Sequence, residues 1–220
     1  MLEAKNLGVR FDDQWLFRGV DLTLESGQGI ALVGPSGCGK SVLLRTLALL
    51  RSPSEGSVHW NGAAVRGDDV TRFRSQVTYV SQKIADEEST VENYLKIPFR
   101  LSVHSEKAWK QSEAVSMLES FGRDDSFLSK SQRELSGGER QIAALVRVLM
   151  LGPTVLLLDE PTSAMDGETS RLTESVVQHW IDQSPERALI WVTHDHAQAC
   201  LLYTSPSPRD QRGSRMPSSA

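Results

Sequence analysis

The sequence predicts an α/β fold built around a parallel sheet whose C-terminal edge carries the chemistry. Three observations lead there. The stretch Gly34-Pro35-Ser36-Gly37-Cys38-Gly39-Lys40-Ser41 fits the phosphate-binding loop pattern G-x-x-x-x-G-K-[ST] at every specified position. An apolar run at 30–33 precedes it and an amphipathic run at 41–50 follows, which is the strand-to-helix context such a loop requires. Apolar runs at 155–158 and 189–193 end in Asp159-Glu160 and His194-Asp195, as expected of strands buried on both faces that hand polar residues to the ligand-binding edge of a parallel sheet.

In this loop the glycines let the backbone approach phosphates, and the free N–H groups and positive end of the following helix face the anion. Lys40 would reach the β- and γ-phosphates, and the Ser41 hydroxyl would ligate Mg²⁺. At ordinary residue usage the four fixed positions match by accident in roughly one 200-residue chain per hundred, so a nucleotide site outweighs a glycine turn that binds nothing. Asp159 can hold Mg²⁺ through water, and Glu160 can orient and deprotonate an attacking water. His194, at the same sheet edge, is a candidate γ-phosphate contact.

Composition narrows the class. The chain has 220 residues, 24% charged and 39% hydrophobic, ordinary values for one large or two small soluble domains. No apolar run approaches the roughly 18 to 20 residues that span a bilayer, and the N-terminus lacks a signal-peptide pattern, so a cytosolic chain is expected. A net charge of −4 lacks the electrostatic footprint of a nucleic-acid binder, and no nucleic-acid partner is expected. Cys38 and Cys200 have no CxxC spacing or clustered His, so neither a zinc site nor a disulfide framework is indicated. Cys38 is a thiol near a helix start, where some reactivity is possible in principle, but small-residue packing is the preferred reading.

Along the chain, residues 2–7 and 20–25 alternate as half-buried strands, with 9–15 between them read as a polar loop carrying Phe11 and Trp15. An aromatic there could stack on an adenine or simply belong to the core. Residues 52–56 form a breaker cluster, 58–62 a strand entering an Asn-Gly turn, and 77–81 a further strand before Gln82. From 83 to 133 strand signals fade, and a helix is expected over 105–121, with Ser105 as N-cap and Gly122 as stop. Core segments 1–82 and 134–200 thus flank a helical subdomain at 83–133. Leu135-Ser136-Gly137-Gly138-Glu139-Arg140-Gln141 opens a periodic helix running to Leu151, and its paired glycines could form a second anion site.

Taken together these segments resemble the ATP-binding cassette (ABC) ATPase family over about residues 1–199. The resemblance implies a P-loop cassette with a mixed β core and a helical subdomain, binding ATP and Mg²⁺. It makes 34–41 the Walker A loop, Gln82 the Q-loop glutamine and a Mg²⁺ contact, and 135–141 the signature motif. Asp159 and Glu160 close Walker B, Ser163-Ala164-Met165-Asp166 is the D-loop, and His194 is the switch histidine. Phe11 is the best adenine-stacking candidate, with Trp15 the alternative. Because such cassettes pack head to tail, the resemblance implies a second cassette whose Lys40 holds the phosphate that Ser136, Gly137 and Gly138 contact, with Asp166 facing the interface. A single cassette should then be nearly inactive. Val42 stands where the family usually has Thr, a loss of about 1 kcal/mol for one neutral hydrogen bond near the α-phosphate. Met165 for Leu is a near-isosteric change.

Residues 201–220 show no strand alternation or apolar stripe and cannot supply the elements with which the family usually continues. They read as adapter-like translated sequence on a cassette truncated at its C-terminus, or as a native disordered tail. Three functions compete: the ATPase subunit of a transporter with a separate transmembrane permease, peripheral on the cytoplasmic face of the inner membrane; a soluble repair or translation ATPase; and a non-hydrolysing binding module. Only 93 residues separate Ser41 from Leu135, too few for the long coiled coil of the repair type, and the acidic single cassette does not suit the translation type. Glu160 and His194 speak against the third. The loop, the short insert and Ile190-Trp191-Val192-Thr193-His194-Asp195 resemble compact bacterial subunits assigned to iron or metal export, with the permease docking on 83–100.

Overall fold

A computed structural model describes residues 1–84 and 88–194. The expectations for Asp195 and for the 201–220 tail lie outside the described residues. The elements run β1 (Leu2–Phe11), β2 (Gln14–Leu24), β3 (Gly29–Leu32), α1 (Lys40–Leu47), β4 (Glu55–Trp60), β5 (Ala63–Ala64), α2 (Asp69–Gln76) and β6 (Val77–Val80). Then follow α3 (Val91–Lys96), α4 (Gln111–Ser120), α5 (Gly137–Leu149), β7 (Val155–Asp159), α6 (Gly167–Asp182) and β8 (Ala188–Val192).

Two four-stranded sheets result, an antiparallel one in the order β2-β1-β4-β5 and a parallel one in the order β3-β8-β7-β6. The apolar runs read as buried strands are the centre of the parallel sheet, and every residue of β7 and β8 is buried. Alternation then divides their side chains between two cores. Val155, Leu157, Ile190 and Val192 face α1, α2 and the antiparallel sheet. Leu156, Leu158, Leu189 and Trp191 face α3 to α6. The α/β cassette expected from the sequence is the observed fold, with its two sheets distinct.

Register places the site. Leu32 and Asp159 both pair with Val192, and Val80 pairs with Leu158, so all four parallel strands stop at nearly one level. The residues just beyond are the phosphate loop, Gln82, Glu160 and His194.

The helical stretch leaves and rejoins the core through one latch. Thr90 and Ser131 form an isolated antiparallel bridge, Val91 N–H donates to the Lys130 carbonyl at 3.0 Å, and Gln132 N–H donates to the Ser89 carbonyl at 3.0 Å. Thr90 also caps α3, its hydroxyl accepting from Asn93 N–H at 3.3 Å.

Several boundaries differ from expectation. Residues 9–15 are not a loop: β1 continues to Phe11 and β2 begins at Gln14, with Asp12 at φ 51 in a two-residue turn. These residues are largely exposed, so the alternation that marks a strand is missing from them. Ser105 caps no helix: it closes a 3-10 turn, its N–H donating to the Ser102 carbonyl at 3.2 Å, and α4 begins at Gln111 behind Lys110. Gly122, at φ 70, does stand just past its end. The helix expected over 41–50 stops at Leu47, where Leu49 turns to φ 54, and the one expected to reach Leu151 stops at Leu149. Helices α2 and α6 were not anticipated.

Candidate functional site

The phosphate loop leaves β3 and ends at Gly39, the N-cap of α1, with φ 101 and no side-chain cap bond. No acidic residue stands in the first turn of α1, so its free N–H groups present positive potential to the loop. Lys40 is only 8% exposed, and its ammonium donates to the carbonyls of Gly34 at 2.6 Å and Pro35 at 2.9 Å. A buried ammonium folded over its own loop lies where a phosphate oxygen would meet it. Ser36, Gly37 and Cys38 are exposed in the loop, and Val42 lies half-buried in the first turn of α1.

Ser41 Oγ donates to Asp159 Oδ1 at 3.0 Å, joining the end of the loop to the end of β7. Asp159 is 2% exposed, and its other oxygen, Oδ2, accepts from the Tyr79 hydroxyl at 2.8 Å. Arg45 Nε in turn donates to the Tyr79 oxygen at 3.1 Å. Burial, reinforced by Asp159, pushes the Tyr79 phenol up from its ordinary value, so it remains a neutral donor. Tyr79 was not singled out from the sequence: nothing in Val77-Thr78-Tyr79-Val80 announces a partner 80 residues away.

One residue on, Glu160 takes φ 48, a left-handed conformation unusual for a side chain of its size, and its N–H donates to the Val192 carbonyl at 3.1 Å. Its Oε2 accepts from Gln82 Nε2 at 2.7 Å, and its Oε1 contacts His194 Nε2. Three residues read separately from the sequence therefore meet on one carboxylate. Strained backbone of this kind persists only where neighbours over-determine it.

The hydroxyl plus carboxylate of Ser41 and Asp159 is an all-oxygen donor set that suits Mg²⁺, which is usually held by one or two carboxylates together with substrate phosphates. Among the described residues no cluster of three or more His, Cys, Asp or Glu could hold a metal alone.

The glycine pair at 137–138 opens α5 behind Ser136, which forms a reciprocal capping box: Ser136 Oγ accepts from Glu139 N–H at 3.2 Å and Glu139 Oε2 from Ser136 N–H at 2.9 Å. Lys130 donates to Glu139 Oε1 at 2.9 Å. Partial burial would raise the Glu139 carboxyl, but Lys130 and Ser136 outweigh it and hold it at about 2, below its usual 4.5. A depressed carboxylate stabilises fully above the unfolded value and loses that contribution as pH falls from 4.5 through about 2. Glu139→Gln, which can keep the capping box, should cost about 1 kcal/mol at pH 7 after allowance for solvent screening. Urea unfolding at pH 7 and pH 3 should show the difference shrinking at the lower pH, which lies between the unfolded value of 4.5 and the folded value of about 2.

Asp166 caps α6, accepting from Thr169 N–H at 2.8 Å and Thr169 Oγ1 at 3.0 Å, and these bonds lower its pKa. Phe11 ends β1, 47% exposed, with the Arg51 guanidinium 4.1 Å from its ring centroid. Trp15 lies in β2, flanked by Arg18 at 4.8 Å and Arg10 at 6.0 Å. Besides Tyr79, the sequence reading passed over Arg51, and it gave Gln141 no role of its own beyond closing the 135–141 motif.

The family model described as ABC transporter matches residues 17–163. A probable iron export ATP-binding protein, FetA of Escherichia coli K12, is 34% identical over 195 residues, covering 89% of this chain and 85% of its own. The nickel import ATP-binding protein NikE of Shigella flexneri is 35% identical over 192 residues, covering 83% and 70%. Among solved structures, the dimeric post-hydrolysis state of the ATP-binding cassette MJ0796 bound to ADP and Pi superposes with a TM-score of 0.79 at 24% identity, covering 90% of each chain, and shows the same fold. A phosphate loop, a strand-end acid pair and a capped glycine turn on this fold, together with these relatives, establish that the chain belongs to the ABC transporter family, as an ATP-binding cassette with ATPase activity.

Proposed function

We propose that this cassette hydrolyses ATP only when two copies close head to tail, and that closure drives a separate transmembrane permease from the cytoplasmic face of the membrane. The observation that carries the reading is Glu160, held between Gln82 and His194 at the sheet edge beside Ser41 and Asp159. Lys40 leaves its loop carbonyls for the β- and γ-phosphates, and the N–H groups of the loop and α1 bind the remaining oxygens. Ser41 and Asp159, with Gln82 nearby, would hold Mg²⁺, which supplies charge neutralisation on the phosphate oxygens. Glu160 takes the proton of the attacking water, with Gln82 and His194 fixing its orientation. Phe11 stacks the adenine, with Arg51 behind its ring.

The signature residues Ser136, Gly137 and Gly138 contact the nucleotide of the partner copy, and Asp166 stands at the same interface. Among the described residues no helix is long and apolar enough to cross a membrane. The likeness to ATP-binding proteins for iron export and nickel import supports a permease on another chain and a metal ion as cargo, with export following the FetA likeness. Residues in the 83–100 stretch receive the permease.

A concentration series tests the two-copy mechanism. Specific ATPase activity should rise with protein concentration, and light scattering should find about twice the monomer mass with ATP but not with ADP. Constant specific activity at monomer mass would overturn it.

A further inference from the structure

Gln141 is buried, 2% exposed, in the second turn of α5. Its carboxamide meets three separate stretches of chain. Nε2 faces the Gln82 carbonyl at 3.4 Å, the Glu160 carbonyl at 3.3 Å and Ser163 Oγ at 3.4 Å, while Oε1 accepts from Ala164 N–H at 3.4 Å. Two amide hydrogens serve three acceptors, so no contact is short. The group spaces the loop after β6, the end of β7 and the loop before α6 around one point.

One turn earlier on α5, Gly138 presses against that last loop: a Cβ there would stand 2.9 Å from the Ala164 carbonyl and 3.5 Å from Met165 Cα. The start of the signature helix therefore rests on its own chain's loop at 163–166, independently of any second copy. Glu160 is pinned on both sides of its strained backbone, its N–H by the Val192 carbonyl and its own carbonyl by Gln141. An apolar side chain of equal length would fill the space but remove the Gln141 donor to the Gln82 carbonyl and one of two donors to the Glu160 carbonyl, which also accepts from Ser163 N–H at 3.2 Å.

We propose that Gln141 is a positioning residue that sets the backbone of Gln82, Glu160 and Ala164 relative to α5, so that the Gln82 amide and the Glu160 carboxylate meet. The kinetic part rests on the reading of Glu160 as the base; the backbone part does not.

The test compares the full chain with Gln141→Met by hydrogen exchange and kinetics. Amides at 160–165 should exchange at least tenfold faster while those at 40–47 stay unchanged. In the same variant kcat should fall at least tenfold, with the Kd for a fluorescent ATP analogue within twofold and one site per chain retained. Unchanged exchange at 160–165 would overturn the proposal, and so would a rise shared equally by 40–47, the mark of a merely structural role. Should the methionine variant not fold, Gln141→Glu keeps the acceptor for Ala164 N–H but removes both donor hydrogens, and the same exchange result decides. If Glu160→Gln leaves turnover intact, the base assignment falls, while the exchange comparison still judges Gln141.

Discussion

Glu160→Gln should lower kcat by about a thousandfold, the middle of the range for removing a general base, and leave an ATP-loaded dimer that no longer dissociates. The amide has the shape of the carboxylate and keeps one oxygen for Gln82, whose bond to Glu160 is 2.7 Å. His194 can present the unprotonated ring nitrogen to the new NH₂, so neither neighbour is left unpaired. What disappears is the capacity to take the proton from water. Lys40, Ser41 and Asp159 are untouched, so nucleotide affinity should hold within about threefold. Single-turnover phosphate release and size-exclusion chromatography with ATP measure the two effects. Turnover within threefold of the parent would reject Glu160 as the base.

Gly56→Ala should cost about 4 kcal/mol, among the largest effects of a single methyl group. Gly56 lies in β4 at φ 79, and a Cβ there would stand 2.2 Å from the Asn6 carbonyl oxygen and 2.4 Å from that of Lys5. Both are backbone atoms of β1, at the register shift between Lys5 and Gly8, so no side chain can turn aside to make room. Left-handed strain accounts for roughly 1 kcal/mol, and the overlap for the rest. In a domain of this size the melting temperature should fall by about 10 °C. Gly62→Ala is the control: φ is 84 but nothing lies within 4 Å of its Cβ, so only the strain should register. Equal losses in both variants would show that close approach of β1 and β4 is not what glycine serves at position 56.

What the sequence announced were segments whose meaning is local. The phosphate loop needs only its own glycines and the helix behind it, and β7 needs only an unbroken apolar run. The weaker readings failed where the signal is thin. In α2 only Phe73 and Ser75 are buried, and in α6 only Thr173, Val177 and Trp180, too sparse a stripe to read as a helix. The side-chain roles that the sequence did not disclose depend on distant partners. Tyr79 matters through Asp159, Arg51 through Phe11, and Gln141 through three loops at once. None of these pairings has a spacing to betray it, because tertiary packing makes them.

The latch at Thr90 and Ser131 has a meaning for how such a chain can diversify. Because both ends of the helical stretch are already tied side by side, what lies between them is a closed excursion from the core. Changing the length of such an excursion costs little, about 0.6 kcal/mol of closure entropy for each doubling. The parallel-sheet edge can therefore stay fixed while the length and sequence of the excursion change.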